Sequence, residues 1–461
     1  MADSRRASAL QMKRIQRMVE YQTNFIYFLL SIIGAFVLTH LLAGADFSPA
    51  QEYVMFLLFL SIGLWFTEAI PPFAVGILIV GFLVFFLGSL SPEEVGTDGQ
   101  ATLDVYKFVG TWSNSVIWLI LGGFFLAEGM RKTGVDRDLF RLLVSRFEPR
   151  PSSILLSVML ATCLASMLMS NTATTAMMVA TTAPILSKFE DQHPFAKALL
   201  LGMPIAASLG GMGTIIGSPP NAIAVEAINN SGALPFTIGF LEWMLVGAPL
   251  AIVLTFVLWQ ALLKRYKTGN DLIDIADLLE KPEKEGRMVI EIDEEHNMSL
   301  PDGGRLRKRI VIVTLGVTLL LWLTGRIHGI PPAAVSGIPI IVFTMVSIIT
   351  GEDVRTLPWD TLMLVAGGLS LGLAIQDIGL SDYFVSQLQH LSVATWLVVP
   401  VFALMTVVMS NVMSNTVAAT ILMPIGAIWP GLHPAVLPLA IGLAASCALF
   451  LPVSTPPNAI V

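Results

Sequence analysis

Residues 169–176, MSNTATTA, form a run of small polar side chains inside a long apolar region, and a near copy, MSNTVAAT, follows at residues 413–420. In each copy another hydroxyl precedes the Ser-Asn-Thr by four residues, Ser166 in the first and Ser410 in the second. A polar, non-helical segment at membrane depth is tolerated only where it is buried in protein or lines a cavity. We therefore interpret the two copies as hairpin tips that meet near the middle of a membrane.

The composition is typical of a membrane protein. Of the 461 residues, 55% are hydrophobic and only 13% are charged, whereas soluble domains carry about 25% charged residues. Apolar runs of roughly 17–25 residues recur, which is the length that crosses a bilayer as a helix. The predicted fold class is an all-α polytopic protein of the lipid bilayer. The sequence has no basic stripe with interleaved aromatic residues, so nucleic acid is not an expected partner.

The first part of the chain divides into a lead and a repeat. Residues 1–50 hold a basic cytoplasmic segment and the first transmembrane helix, and residues 51–263 form repeat 1. Within this repeat, residues 152–186 are either one long helix or, as we prefer, two half-helices joined at the Ser-Asn-Thr in a re-entrant hairpin. Residues 195–228 are interrupted by GGMGTIIGSPPN, whose two prolines and four glycines predict a broken transmembrane helix.

The second part begins with a hydrophilic stretch, residues 264–309, whose basic ends predict a cytoplasmic linker. Residues 310–461 form repeat 2, with a hairpin at 392–428 and a broken helix at 435–461. The counterpart of the last helix of repeat 1 would follow Val461. We therefore expect the final helix of repeat 2 to lie beyond the end of this sequence.

Four landmarks occur in the same order in both halves, which indicates an internal repeat. They are Pro71-Pro72 and Pro331-Pro332, Gly122-Gly123 and Gly367-Gly368, the two Ser-Asn-Thr tips, and GSPPNAI at 217–223 with STPPNAI at 454–460.

Charge predicts how the two repeats are oriented. The loop before the first tip, residues 131–150, carries six Lys or Arg, whereas its counterpart, residues 376–391, carries none. Because positive loops stay on the cytoplasmic side, the two loops are expected on opposite faces of the membrane. The repeats would then have inverted topology, as in many secondary transporters with a site at the repeat interface. The spans predict a protein of the cell (inner) membrane with a cytoplasmic N-terminus.

The tips and breaks carry hydroxyls, side-chain amides and freed backbone groups, but no charged residue. Half-helix N-termini present amides that favour a carboxylate, and unwound Gly/Pro backbone presents carbonyl oxygens that favour Na⁺. This chemistry predicts a site for a small dianion together with Na⁺. A proton-coupled carrier usually needs an intramembrane acid or His, so Na⁺ coupling is favoured over H⁺ coupling. The absence of Lys and Arg from these motifs argues against an obligate anion exchanger.

Two other classes of function are weighed against a carrier. A membrane enzyme would need a nucleophile, an acid–base pair or a metal cluster at membrane depth, and the sequence offers none, so we expect neither catalysis nor an organic cofactor. A channel can also be built from broken helices. Saturable, Na⁺-dependent transport is the property that separates a carrier from a channel.

The paired Ser-Asn-Thr signatures and the paired (G/S)-(S/T)-P-P-N-A breaks resemble the divalent anion:Na⁺ symporter family, which carries dicarboxylates, citrate and sulfate. The resemblance covers nearly the whole chain after the first span. It implies two inverted repeats of scaffold and transport elements, a homodimer, elevator-type alternating access and one Na⁺ site per tip. It further implies symport of C4-dicarboxylates such as succinate, malate and fumarate, with sulfate or citrate as the alternative substrate.

Carried over residue by residue, the resemblance implies two Na⁺ sites, the first formed by Ser166, Ser170, Asn171 and the backbone at Gly217, and the second by Ser410, Asn415 and the backbone near Met413 and Ser454. Met413 stands where a smaller residue is common in the family. The implied substrate ligands are Ser170, Asn171, Thr172, Ser218, Pro219, Ser414, Asn415, Thr416, Thr455 and Pro456.

Overall fold

The computed structural model describes residues 2–44, 47–91, 94, 104–189, 193–232, 234–269, 303–389, 394–451 and 454–461. All regular structure in these ranges is helical, which confirms the all-α fold class. Seven of the described helices are long and apolar enough to cross a membrane. Most of the predicted linker lies outside the described residues.

Among the residues that the structure describes, eleven α-helices precede the linker. They are α1 (Ala2–Leu42), α2 (Pro49–Thr67), α3 (Pro72–Phe82, continued by a π-helical turn over Leu83–Leu87), α4 (Tyr106–Gly110), α5 (Ser115–Thr133), α6 (Val135–Val144), α7 (Pro151–Ser166), α8 (Asn171–Leu186), α9 (Pro194–Gly211), α10 (Pro219–Asn230) and α11 (Phe240–Tyr266).

Ten helices follow the linker among the described residues. They are α12 (Gly303–Leu323), α13 (Gly325–His328), α14 (Pro332–Met345), α15 (Gly351–Arg355), α16 (Trp359–Asp377), α17 (Leu380–Gln389), α18 (Thr395–Val412), α19 (Asn415–Ala427), α20 (Val436–Ala445) and α21 (Pro456–Ile460).

The hairpins and breaks take the form expected from the tips. The chain leaves the helix after Ser166 and re-enters it at Asn171, so residues 152–186 are two half-helices and not one long helix. Residues 195–228 are likewise split into α9 and α10. We call residues 166–172 and 410–416 the first and second tips, and residues 210–221 and 446–458 the first and second breaks.

The two stretches that precede the hairpins differ from the prediction. Residues 131–150 and 376–391 were expected to be loops, which is wrong, because α6 and α17 occupy the middle of each. In α6 the buried side chains Val135, Phe140 and Val144 alternate with charged ones, so the helix is amphipathic. Because the region is rich in charged residues, the helical spacing of these three apolar residues is hard to recognise in the sequence. The basic lead is also continuous with the first span in the single helix α1.

Four helices, α3, α5, α14 and α16, form what we call the frame. Helix α5 packs on α14, and α16 packs on α3, so each contact joins one half of the chain to the other. A Cβ atom on Gly122 would lie 2.6 Å from the Ser336 Cβ, and one on Gly367 would overlap the Gly76 backbone. Ser336 and Gly76 occupy equivalent positions after their Pro-Pro pairs, so the same close contact is made twice.

Ion pairs at the two ends of the frame show how α5 and α16 run. Lys132, at the end of α5, pairs with Asp353 of α15, the short helix that leads into α16. Asp377, at the end of α16, pairs with Lys107 of α4, which leads into α5. Each helix therefore ends beside the beginning of the other, and the two are antiparallel. An inverted duplication requires this arrangement of equivalent helices, while the membrane side of each loop stays a prediction.

We predict that Leu142 and Ser386 lie on opposite sides of the membrane. Both are exposed, in α6 and α17 respectively, so a cysteine introduced at either should react with a membrane-impermeant thiol reagent. Cys163 and Cys447 are first replaced by alanine to remove the background. In intact cells the reagent should label Ser386→Cys, and it should label Leu142→Cys only after permeabilisation. Labelling of both variants in intact cells would contradict the inverted topology.

We predict that Gly367→Ala destabilises the frame, because the new Cβ would meet the backbone of Gly76, which cannot move aside as a side chain can. Overpacking of this kind costs about 1–3 kcal/mol. The midpoint of thermal unfolding in detergent should fall. Gly372→Ala, in the same helix, is the matched control, since no atom lies within 4 Å of its added Cβ. Equal midpoints for the two variants would show that the close contact is unimportant.

Candidate functional site

Each tip ends one half-helix and begins the next. Ser170 is the N-cap of α8, and its Oγ accepts a hydrogen bond from the Ala173 amide at 3.2 Å. Ser414 caps α19 in the same way, accepting from the Val417 amide at 3.2 Å. A serine at this position satisfies one of the free amides of a helix start. The Ser-Asn-Thr sequence therefore places Asn at the first helical residue of each half-helix, beside the remaining free amides.

Each break is closed by the asparagine of its Pro-Pro-Asn. The Asn221 side-chain amide donates to the carbonyls of Gly211 at 2.8 Å and Thr214 at 2.7 Å. Asn458 donates to the carbonyls of Ala448 at 3.1 Å and Leu451 at 3.0 Å. The asparagine thus turns back to two carbonyls of its break, of which Thr214 and Leu451 also accept the backbone amides of Gly217 and Ser454. The sequence marks both residues as part of a motif, but gives no sign of this role.

The first tip is bound to the first break. The Thr214 hydroxyl donates to the Met167 carbonyl, and the Gly217 amide donates to the Thr214 Oγ1 at 3.1 Å. The Ser166 hydroxyl donates to the Asn171 Oδ1 at 2.7 Å. A second contact comes from Gly211, where an added Cβ would lie 2.7 Å from the same Asn171 oxygen.

These contacts bring Ser166 and Asn171 of the first predicted Na⁺ site against the break. Gly217 is close as well, since an added Cβ there would lie 2.6 Å from the Gly211 carbonyl oxygen. The Ser170 hydroxyl serves the cap of α8 and keeps its hydrogen for a further acceptor.

The second tip and break hold oxygens that have no partner. Ser410 is fully buried and Thr455 is 7% exposed. Their hydroxyl oxygens and the Asn415 Oδ1 are buried without any hydrogen bond. Buried polar atoms in proteins are nearly always paired, so unpaired ones in a native structure call for a ligand or an ion. Three uncharged oxygens of this kind fit a small cation that prefers oxygen ligands, such as Na⁺.

The remaining predicted residues lie at the starts of the half-helices. Ser218 is buried at the N-cap of α10, and its side chain makes no capping bond. Pro219 and Pro456 are the first residues of α10 and α21, where proline costs no hydrogen bond. Among the other predicted Na⁺ and substrate ligands, Thr172 and Thr416 are half-buried, Ser414 is exposed, and Met413 and Ser454 are buried.

The two halves of the site are exchanged between the repeats. Helix α8, which begins at the first tip, packs against α21, which begins in the second break. Helix α19, which begins at the second tip, packs against α10, which begins in the first break. Each tip is held by the break of its own repeat, and α8 and α19, which begin at the tips, pack against the half-helices that begin in the break of the other repeat. The half-helices that carry predicted residues are therefore in contact across the two repeats.

A cavity of about 50 Å³ lies between α10, α16 and α19, beyond the predicted ligands. Its lining includes Ile223 and Thr420, each one helical turn after a predicted ligand, and Glu226. Glu226 accepts a hydrogen bond from the Asn114 side chain at 2.6 Å. None of the predicted site residues lines this cavity. Among the described residues, no group of three or more His, Cys, Asp or Glu side chains could hold a metal ion.

Comparison with known proteins identifies the family. A family model described as "Citrate transporter" matches residues 56–428, most of the chain. A sodium-dependent dicarboxylate transporter of Staphylococcus saprophyticus, SdcS, is 30% identical over 467 residues, which cover 92% of this chain and 83% of that protein. The chain belongs to the divalent anion:Na⁺ symporter family. The resemblance drawn from the motifs is confirmed, and the chain is a multi-pass membrane protein of a transporter family.

Other transporters are also similar to this chain in sequence or structure. SdcS of Staphylococcus aureus (strain USA300) is 30% identical over 86% of this chain and 77% of its own length. An uncharacterized transporter of Schizosaccharomyces pombe is 28% identical over 93% of this chain and 47% of its own length. The crystal structure of the Alcanivorax borkumensis YdaH transporter, described as having an unusual topology, aligns with a TM-score of 0.50 at 14% identity, covering 82% of this chain and 87% of that one. That likeness shows the fold alone.

We predict that Asn221→Ala destabilises the protein more than Asn458→Ala does. Both variants remove an amide that donates to two carbonyls of a break. Asn221 is fully buried and Asn458 is partly exposed, so water can replace only the second amide. In Asn221→Ala the Gly211 carbonyl loses its donor, whereas the Thr214 carbonyl keeps the Gly217 amide; a buried carbonyl left unpaired costs about 1–3 kcal/mol. Thermal unfolding in detergent measures the difference, and a larger loss for Asn458→Ala would contradict the proposed role of burial.

Proposed function

We propose that the protein is a secondary active transporter that couples the movement of C4-dicarboxylates, such as succinate, malate and fumarate, to Na⁺. The observation that carries the proposal is that buried oxygens of Ser410 and Asn415 in the second tip and of Thr455 in the second break have no hydrogen-bond partner, while the tips and breaks carry no charged side chain. The sodium-dependent dicarboxylate transporters named SdcS support the same choice of ion and substrate.

The case for Na⁺ rests on the chemistry of these oxygens. Hydroxyl, amide and backbone carbonyl oxygens are the ligands with which transporters of this kind coordinate Na⁺ at broken helices. The implied ligands of the first site, Ser166 and Asn171, lie together, and those of the second site, Ser410 and Asn415, are free of other partners. A proton carrier would instead need an acid or a histidine here, and the tips and breaks have neither.

The case for a dicarboxylate rests on charge and duplication. A dianion is costly to place at the centre of a bilayer without compensation, and no Lys or Arg in the tips or breaks provides it. Bound Na⁺ supplies the opposite charge, and the positive ends of α8, α10 and α19 favour carboxylates. Two equivalent tips, each with an Asn and a Thr, provide one matching set of donors for each carboxylate.

We further propose elevator-type alternating access, in which the hairpins and broken helices move against the frame. The frame helices pack on one another across the two halves of the chain, and the site elements are joined to one another by the bonds between tips and breaks. Two contacts between these groups are that of Gly123 with Ile216 of the first break and that of Gly368 with Thr420 of α19. The homodimer implied by the family resemblance stays a prediction.

The test is uptake by proteoliposomes containing the purified protein. An inward Na⁺ gradient should drive radiolabelled succinate to saturation, and an equal K⁺ gradient should not. Unlabelled succinate, malate and fumarate should compete more strongly than citrate or sulfate. Stronger competition by citrate would favour the substrate named by the family model, and stronger competition by sulfate would favour a tetrahedral oxyanion. Non-saturating flux would indicate a channel.

We predict that Asn171→Ala and Asn415→Ala each abolish Na⁺-driven succinate uptake, because each removes an implied ligand of both ion and substrate. Even residues that only support metal ligands change metal affinity about 10–100-fold, so loss of a direct ligand should reduce uptake at least that much. Asn24→Ala, on α1 and outside the site, is the control and should retain uptake. Wild-type rates in either tip variant would count against the proposed site.

A further inference from the structure

Asn411 lies at the end of α18, directly after Ser410, and is outside every motif that predicts the site. Its side chain is 5% exposed and makes three hydrogen bonds. The Oδ1 accepts from the Phe450 amide at 2.8 Å and from the Ser454 hydroxyl at 3.0 Å, and the Nδ2 donates to the Val407 carbonyl at 2.7 Å. The Ser454 hydroxyl also lies 2.9 Å from the Asn411 carbonyl. Asn411 thus joins the second tip to the second break.

The first repeat makes this joint in a different way. The position equivalent to Asn411 is Met167, and only its backbone carbonyl takes part, accepting from Thr214. Thr214 then accepts the Gly217 amide and so connects the tip to the turn of the break. The equivalent of Thr214 in the second repeat is Leu451, which has no hydroxyl. The side-chain amide of Asn411 takes over the connecting role there.

We infer that Asn411 is a positioning residue for the second cation site, an inference that rests on the proposed Na⁺-coupled function. The two unpaired hydroxyl oxygens of that site belong to Ser410 and Thr455, which are the chain neighbours of Asn411 and Ser454. The bonds between Asn411 and Ser454 therefore fix the separation of these two oxygens. A cation held by both oxygens requires that separation to be set before it binds.

The joint also fits the backbone role that the family resemblance implies for Ser454. Its hydroxyl hydrogen is shared between the Asn411 carbonyl and the Asn411 Oδ1, so its side chain is already engaged. Ser454 would reach the cation through its backbone, as Gly217, without a side chain, must do in the first repeat. The two repeats can therefore present the same backbone ligand although one has serine and the other has glycine.

Three variants test the inference. Asn411→Leu removes both acceptor bonds of the side chain, Asn411→Asp retains an acceptor for Phe450 and Ser454, and Val412→Ala changes the next residue, which is 65% exposed. Two measurements are made on each purified protein. The first is the Na⁺ concentration that gives half of the Na⁺-dependent rise in unfolding midpoint in detergent, with K⁺ as the control ion. The second is the Na⁺ half-saturation and the succinate KM, at saturating Na⁺, in proteoliposomes.

We expect Asn411→Leu to raise both Na⁺ half-saturation values about tenfold, the size of effect known for residues that hold metal ligands in place. The succinate KM at saturating Na⁺ should rise by a smaller factor, because the joint also holds Thr455, an implied substrate ligand. Asn411→Asp should restore Na⁺ half-saturation, because it keeps the acceptor for Phe450 and Ser454. Val412→Ala should match the wild type in every measurement.

A merely structural role would give a different result. It would raise the succinate KM and the Na⁺ half-saturation by the same factor, and Asn411→Asp would not restore the Na⁺ half-saturation; this pattern overturns the inference. If Asn411→Leu does not fold, Ser454→Ala replaces it, because it removes one donor to Asn411 and leaves the Phe450 amide in place. Unchanged Na⁺ half-saturation in Ser454→Ala would also overturn the inference. If the wild type itself shows no Na⁺-driven uptake, the proposed function fails instead.

Discussion

The structure depends on how the polar backbone groups of interrupted helices are satisfied where water cannot reach them. An interruption at membrane depth frees several carbonyls and amides, and each unpaired group costs free energy. In both breaks the helix resumes with two prolines. Proline has no backbone N–H, and a helix start leaves that N–H without an intrahelical partner in any case, so proline costs no hydrogen bond there. The asparagine that follows returns its side-chain amide to two carbonyls of the break, at Asn221 and again at Asn458. The groups not satisfied in this way are those available to a ligand.

The frame holds these interrupted helices through contacts that are made twice. Gly122 with Ser336 and Gly367 with Gly76 are the same contact in two copies, and the pairs Lys132–Asp353 and Lys107–Asp377 close the two ends. The second glycine of each pair departs from this symmetry. Gly123 meets the first break, whereas Gly368 meets the hairpin helix α19. At these two contacts the site elements therefore do not follow the symmetry of the frame.

Much of this architecture follows from local sequence. Pro-Pro-Asn, Ser-Asn-Thr and Gly-Gly each impose one backbone geometry wherever they occur, so their repetition predicts the hairpins, the breaks and the close helix contacts. Helix α6 is different, because the six basic residues of its region obscure the apolar period of Val135, Phe140 and Val144. The partners of Asn411 are also beyond sequence reasoning. Phe450 and Ser454 are about forty residues away in the chain, and only the fold brings them together.

The two copies of the site show which part of a duplicated structure is constrained. In each copy a hydroxyl from the break lies within hydrogen-bonding reach of the carbonyl directly after Ser166 or Ser410, but the donor is Thr214 in one and Ser454 in the other. The carbonyl needs a partner in both, because it ends a helix inside the protein. The hydroxyl can come from the residue at the start of the turn, as it does from Thr214, or from the residue at its end, as it does from Ser454. Where Thr214 supplies the hydroxyl, Gly217 needs no side chain. Where Leu451 cannot supply one, Ser454 provides it and the Asn411 side chain accepts from the turn.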